Sequence, residues 1–270
     1  MLPPRSRQQR RAAEKDARQS YEKRGLPPGG GIAPLVVHTQ SLIRILSNRH
    51  SNSRASDAAE MSFKVFERSA TIHPAEIPLQ CQRGCSFCCY DIVAATAPEV
   101  FRIARHVLGQ PGPSREAALR RIEAAHAATA GAGPEDRQRH RRPCGMLEAG
   151  VCSGYAARPL VCRAANSGSV RACEDAFHDG VTRIPVASVP FVLRDAHLLC
   201  LLAALQAARL DDRAYELNHA LWLAVSLPDA EARWLAGEDF FAPVQTTPAA
   251  REPMMALVQS LAAEASAGSR

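Results

Sequence analysis

The stretch CQRGCSFCCY, residues 81–90, places four cysteines within nine positions. Four further cysteines follow before residue 174. Crowded thiols are reactive unless something binds them, and clustered cysteines in a chain that needs no disulfides usually bind metal or perform redox chemistry. The sequence therefore predicts a fold organised around eight metal-ligating thiols: Cys81, Cys85, Cys88, Cys89, Cys144, Cys152, Cys162 and Cys173.

Length and apolar patterning favour a soluble protein in a reducing compartment. With 270 residues, the chain can bury a core without disulfide support. The basic N-terminus is not followed by the apolar stretch of a signal peptide. The longest apolar runs, residues 198–205 and 221–225, are shorter than the ~20 residues that span a bilayer. We therefore expect a cytoplasmic protein without a membrane partner.

The formal charge of +6 is concentrated at the N-terminus, where residues 1–25 carry eight Lys or Arg against three Asp or Glu. The Gly- and Pro-rich stretch that follows, residues 25–31, is typical of a linker. We expect residues 1–34 to form a basic, disordered tail and linker. Such an arm would offer a binding surface to an acidic partner or to nucleic acid.

Apolar periodicity predicts helices over residues 35–46 and 58–66. Thr96 and Glu99 form a capping-box pattern ahead of a helix that ends at Gly109. A further helix is expected over residues 113–131, followed by a polar loop.

After the cysteines, the sequence predicts a helix from Asp195 to Leu210 and another along residues 217–225. Two more begin at Pro228 and Pro248, and residues 184–193 are the clearest extended candidate. The fold class is therefore mainly α, with helical N- and C-terminal parts around irregular cysteine-rich loops. We expect one domain over residues 35–270, with the cysteine-cluster core at about 78–178.

The first cysteine group falls at i, i+4, i+7 and i+8, which would form one stripe on an α-helix. The spacing also fits a turn followed by a short helix, in which Gly84 permits the turn and Phe87 shields the site. Side chains of neighbours such as Cys88 and Cys89 diverge by about 100° on a helix, so both are unsuited to ligate one ion. We expect the two groups to share sites. This leaves either one iron–sulfur cluster with spare thiols or two four-thiolate centres.

The second group has the spacing C-x7-C-x9-C-x10-C, and its third cysteine lies in RPLVCR, residues 158–163. A four-thiolate centre carries negative charge, and five arginines are candidates to compensate it: Arg83, Arg141, Arg142, Arg158 and Arg163. Pro159 would make the turn rigid. Cys200 is outside both groups and is expected in the apolar core.

Together, CQRGCSFCCY, CGMLEAGVCSGYAARPLVCR and the following Cys173 resemble the YkgJ-like cysteine-cluster family, described as zinc- or iron-chelating domains. The resemblance spans roughly residues 78–178. It implies chelation by the eight cysteines named above and a Tyr-x2-RP-x2-CR element at Tyr155, Arg158, Pro159, Cys162 and Arg163. Some relatives resemble flagellin lysine methylases, so the resemblance leaves an enzyme role open.

Three alternatives compete with simple chelation. CQRGCSFC also has the CxxxCxxC spacing of radical S-adenosylmethionine enzymes, in which three thiolates leave one iron open, although such enzymes resemble β/α barrels. A thiol-redox protein would use reversible disulfides, and a structural zinc module would present a binding surface. Eight thiols without paired histidines suit all-sulfur ligation, so the expected cofactor is an iron–sulfur cluster or zinc.

Overall fold

The computed structural model describes residues 7–244, 246–247 and 252–267, and these residues are mainly helical, as predicted. Two 3₁₀ turns, Phe87–Tyr90 and Tyr155–Ala157, lie in the cysteine-rich region. The helices are α1 (Arg7–Arg24), α2 (Ile32–Leu46), α3 (Arg54–Ile72), α4 (Ala97–Leu108), α5 (Gly112–Thr129), α6 (Pro134–Arg139), α7 (Leu160–Ala164), α8 (Val170–Asp179), α9 (Val189–Ala207), α10 (Leu217–Ser226), α11 (Ala230–Leu235) and α12 (Glu252–Ala267).

Helix α9 lies at the centre of the core, where it packs against α2, α3, α7 and α12. Its residues Leu201, Leu202 and Leu205 are fully buried, and so is Cys200, as the sequence predicts. Of the described helices, only α9 is long and apolar enough to cross a membrane, and half of its apolar window is buried inside the protein. This burial is what a core helix of a folded domain shows.

The N-terminal segment differs from the predicted disordered tail. Residues 7–24 form α1, which packs against α2 and α3. Leu26, just beyond α1, is fully buried, and its backbone N–H donates to the Ser69 hydroxyl at 2.8 Å. Helix α2 begins at Ile32, ahead of the predicted boundary at residue 35. Arg5 of the predicted tail lies outside the described residues. The single domain expected over residues 35–270 stays a prediction.

A small antiparallel sheet joins two distant parts of the chain. Strand β1 (Ala94–Thr96) pairs with β4 (Ala214–Glu216), which pairs in turn with β5 (Thr246–Thr247). In this register Ala95 faces Tyr215, and the ladder is extended where Leu217 N–H donates to the Val93 carbonyl at 2.9 Å. The sheet therefore fixes the start of α10 beside the segment that carries the first cysteine group.

The structure agrees closely with three local predictions, and two others are wrong. Helices α2, α3 and α4 form where periodicity places them, and α4 has its capping box at Thr96 and ends before Gly109. The predicted polar loop from residue 133 instead contains α6. The extended prediction for residues 184–193 is wrong from Val189 onward, because α9 begins there with a proline in its first turn, where a missing N–H costs nothing.

The capping residue Glu99 also links helix α4 to the cysteine region. Its buried carboxylate accepts hydrogen bonds from the Thr96 N–H at 2.9 Å and the Thr96 hydroxyl at 2.8 Å. Its second oxygen accepts from the N–H of Leu160 at 2.8 Å. Leu160 is the first residue of α7, the helix that carries Cys162. One carboxylate thus fixes α7 against α4.

We expect Glu99→Ala to lower the free energy of unfolding by about 2–4 kcal/mol, because it leaves the buried N–H of Leu160 without an acceptor. Chemical denaturation of the purified protein measures this change. Glu116→Ala is the matched control, since Glu116 is exposed and only 4.0 Å from exposed Arg120, and its cost should stay below about 0.5 kcal/mol. Equal effects of the two substitutions would contradict the assignment.

A cluster of buried polar side chains lies between α1, α2, α3 and α9. His38 is fully buried, and its Nδ1 is 2.7 Å from the Tyr21 hydroxyl. Its ring also meets the ring of buried His197 edge-on, with centroids 5.0 Å apart. Burial, together with the charge of Arg68, lowers the pKa of His38 to about 3. His38 is therefore neutral in the folded protein at physiological pH.

This pKa predicts acid sensitivity. Between pH 6.5 and about 3, a histidine is protonated in the unfolded chain while folded His38 stays neutral, so stability falls as pH drops through this window. At pH 5 the loss from His38 is about 2 kcal/mol. Denaturation of His38→Asn at pH 7 and pH 5 should show a smaller loss than the parent chain, whereas exposed His50→Asn should match the parent. Identical pH dependence in all three would contradict the prediction.

Candidate metal centre

The first cysteine group lies on a turn and a short 3₁₀ helix, close to the arrangement expected from its spacing. Gly84 has a φ of +99°, a left-handed conformation that side-chain-bearing residues rarely adopt, so glycine is needed at the turn. The Cys85 N–H donates to the Gln82 carbonyl at 3.0 Å, and the Cys89 N–H donates to the Ser86 carbonyl at 2.9 Å. These bonds hold all four cysteines on one compact loop.

Cys144 precedes a short hairpin, and Cys152 ends its second strand. Strands β2 (Leu147–Glu148) and β3 (Val151–Cys152) pair so that Leu147 faces Cys152. Gly145 lies directly against α5: a side chain there would place its Cβ 2.9 Å from the Cα of Ile122. The Gly145 N–H also donates to Asn218 Oδ1 on α10 at 3.1 Å. The hairpin is therefore fixed by helices from both halves of the chain.

The other two cysteines lie on short helices, Cys162 on α7 and Cys173 on α8. Gln80, just ahead of the first group, holds the turn before α8. Its backbone N–H donates to the Ser167 carbonyl at 2.9 Å, and its side-chain oxygen accepts from the N–H of Val170 at 3.0 Å. Gln80 thus connects the α8 segment to the first cysteine group. The sequence around Gln80 does not predict this role.

All eight predicted thiols line two adjoining cavities. We name these the Cys162 cavity, of about 270 Å³, and the Cys173 cavity, of about 360 Å³. All nine cysteines of the chain are free thiols, and among the eight, Cys81 and Cys88 are exposed and the others partly buried. The Cys162 cavity is lined by Cys81, Cys85, Cys88, Cys89, Cys144, Cys152 and Cys162. The Cys173 cavity is lined by Cys81, Cys85, Cys88 and Cys173.

The vicinal pair Cys88–Cys89 connects the two cavities. The side-chain interaction between the two thiols lowers the pKa of Cys88 to about 7 and raises the pKa of Cys89 well above its usual value. Cys88 lines both cavities, whereas Cys89 lines only the Cys162 cavity. The two neighbours therefore differ in their surroundings, as their divergence along a helix predicts.

Burial controls the protonation of the remaining thiols in the Cys162 cavity. It raises the pKa of Cys144 to about 11 and that of Cys162 well above the usual thiol value. Burial also raises the pKa of Cys81, Cys85 and Cys152. Metal binding here would displace protons from neutral thiols, so its affinity would rise with pH.

Of the predicted arginines, Arg158 and Arg141 line the thiol cavities, whereas Arg163 and the exposed Arg83 line neither. Arg158 lines the Cys162 cavity, with its guanidinium 3.8 Å from the centre of the Tyr155 ring. Arg163, expected to compensate thiolate charge, instead pairs with Glu67 and donates to the Ala156 carbonyl at 2.6 Å. Its charge is already matched by a carboxylate, so Arg158 is the better-placed counter-ion for a thiolate centre.

Aromatic side chains form part of the wall of the Cys173 cavity. Phe177 of α8, which the sequence analysis did not single out, has its ring centre 5.7 Å from that of Phe87 and 5.1 Å from that of Tyr90. Arg141 lines the same cavity and lies over Phe177, 4.5 Å from its centre. The i, i+4 spacing of Cys173 and Phe177 on α8 is the signal that would have identified Phe177.

The donor set fits a soft metal or an iron–sulfur cluster, because the cavities present thiols and no described histidine lines either of them. The thiols are not drawn tightly together, however. Among the described residues, no group of three or more His, Cys, Asp or Glu side chains has the geometry to hold one metal ion. The cysteines therefore surround a volume instead of converging on a point.

Comparison with known proteins gives one match. Residues 80–176 match the family model CxxCxxCC, described as a "putative zinc- or iron-chelating domain". This range contains all eight clustered cysteines, although Cys81 and Cys85 are separated by three residues where the family name has two. No curated protein and no solved structure matches the chain. Residues 80–176 are therefore similar to the CxxCxxCC domain, whose description names zinc or iron chelation.

Proposed function

We propose that the clustered cysteines hold iron in the form of iron–sulfur centres. The observation that carries this proposal is that seven thiols line one cavity of about 270 Å³ without converging on a single point. A zinc ion holds each thiolate at about 2.3 Å, which brings tetrahedral sulfurs to within about 4 Å of one another. Iron–sulfur clusters place several metal and sulfide atoms between their cysteine ligands, so they suit thiols that surround a volume.

The surrounding side chains are suited to such a centre. Arg158 would offset the negative charge of metal-bound thiolates in the Cys162 cavity. Phe87 and Phe177 line the Cys173 cavity, and Tyr90 packs against Phe177. Cys81 and Cys88 are exposed, so this edge of the site remains open to a redox partner or to incoming metal. When bound, the centres would supply electron storage or metal-based activation.

The fold lends less support to the radical S-adenosylmethionine alternative. The strands β1, β4 and β5 that follow the cysteine motif form a small antiparallel sheet, and β2 and β3 form an antiparallel hairpin. A β/α barrel instead requires parallel strands alternating with helices. For the same cysteine chemistry we place the protein in the cytoplasm, where thiols stay reduced. An acidic partner or nucleic acid at the basic N-terminal segment remains a separate prediction.

Metal analysis of protein purified without oxygen tests the proposal. Iron, zinc and acid-labile sulfide are quantified per chain, and a visible absorption spectrum is recorded. We expect brown protein with iron and sulfide in comparable amounts. Colourless protein with stoichiometric zinc would replace the iron–sulfur proposal with a structural zinc module. Protein with neither metal would favour the thiol-redox alternative.

A matched pair of cysteine variants tests whether the cavity thiols hold the metal. We expect Cys162→Ser to lower the metal content and to make residues 143–173 more sensitive to protease, because metal affinity in such sites is also folding free energy. Cys200→Ser is the control, since Cys200 is fully buried in the core and lines neither cavity. It should keep its metal and lose only packing stability. Metal loss in Cys200→Ser, or none in Cys162→Ser, would show that the ligands are wrongly assigned.

A further inference from the structure

The two cavities divide the eight cysteines differently from their order in the sequence. Four line the Cys162 cavity alone: Cys89, Cys144, Cys152 and Cys162. Cys173 lines the Cys173 cavity alone, and Cys81, Cys85 and Cys88 lie on the wall between the two. Cys89, from the first sequence group, therefore lines the Cys162 cavity, and Cys173, from the second sequence group, lines the Cys173 cavity.

We propose that the chain holds two four-cysteine metal centres whose ligands cross between the sequence groups. Cys81, Cys85, Cys88 and Cys173 form one centre, and Cys89, Cys144, Cys152 and Cys162 form the other. The inference rests on the proposed metal binding and adds to it the number of centres and the ligands of each.

Backbone contacts join Cys89 to the second sequence group. The Cys144 N–H donates to the carbonyl of Cys89 at 2.8 Å, so these residues are directly hydrogen-bonded across 55 positions of sequence. The hairpin of β2 and β3 then returns Cys152 to the same cavity, and the Ser153 N–H donates to the Met146 carbonyl at 2.8 Å. Helix α7, fixed by Glu99, adds Cys162.

A different set of contacts joins Cys173 to the first sequence group. Helix α8 packs on the 3₁₀ turn Phe87–Tyr90 through Phe177, and Gln80 binds the N–H of Val170 at the start of α8. These contacts place Cys173 beside the loop of Cys81 and Cys85. Cys162, only eleven positions earlier in sequence, lines the other cavity.

The vicinal cysteines support the division. Neighbouring side chains diverge along a helical turn, so Cys88 and Cys89 fit two centres better than one. Cys88 lines both cavities, so the two centres would adjoin. Each cavity also has one arginine in its lining, Arg158 for the Cys162 cavity and Arg141 for the Cys173 cavity. Each four-thiolate centre would therefore have its own cation nearby.

Two double variants separate this division from the sequence grouping. Both contain Cys173→Ser and both remove two cysteines. Cys85→Ser/Cys173→Ser affects one proposed centre, so metal per chain should fall about twofold relative to the parent. Cys144→Ser/Cys173→Ser affects both centres, so almost no metal should remain. Metal is counted as iron and sulfide, or as zinc if zinc is the metal found.

The outcomes decide the inference in each case. Retention of half the metal by Cys144→Ser/Cys173→Ser, with loss of nearly all by Cys85→Ser/Cys173→Ser, would establish the sequence grouping instead. Complete loss in both double variants would indicate one shared centre and overturn the proposal. Metal-free parent protein would overturn the proposed function as well, and this result appears before any variant is made.

A second measurement covers the case in which a double variant does not fold. Metal-loaded Cys173→Ser is treated with an alkylating reagent under native conditions, and the modified cysteines are identified by mass spectrometry. We expect Cys81, Cys85 and Cys88 to become modified, while Cys89, Cys144, Cys152 and Cys162 stay protected as in the parent. Modification of all seven together would overturn the two-centre inference.

Discussion

The carboxylate of Glu99 makes the hydrogen bonds on which the placement of the cysteine segments depends. It caps α4 through Thr96 and accepts from the N–H of Leu160, so the helix that carries Cys162 is held against the helical core. A buried carboxylate is stable only when its acceptor capacity is used, and here three donors use it. Gln80 links the start of α8 to the first cysteine group, and Asn218 on α10 holds the segment that carries Cys144.

This arrangement separates two tasks that small metal-binding domains usually combine. The core around α9 is largely apolar, so folding of the helical part has its own hydrophobic driving force. The cysteine segments, by contrast, are short turns and helices held by a few polar contacts and aromatic rings. Metal binding would therefore add rigidity mainly to the cysteine segments, with the helical core as their platform.

Local signals account for the parts of the fold that the sequence predicts. Helices α2, α3 and α4 follow from apolar periodicity, and the capping pattern of Thr96 and Glu99 places the start of α4. The sequence does not predict the strands, because Ala95 pairs with Tyr215 across 120 positions and each strand is only two or three residues long. The sequence also does not predict helix α1, because the polar composition of this segment gives no sign of its packing against α2 and α3.

The sequence by itself determined the chemistry of the candidate site. Eight clustered cysteines and a glycine at the turn indicate thiol ligation whatever the fold around them. Only the tertiary structure decided which thiols face one another. Cys89 joins Cys144 through a backbone hydrogen bond, and Cys173 joins the first group because α8 packs on the turn that carries Cys88. Such contacts depend on helix packing and long-range hydrogen bonds, which the spacing of residues along the chain does not encode.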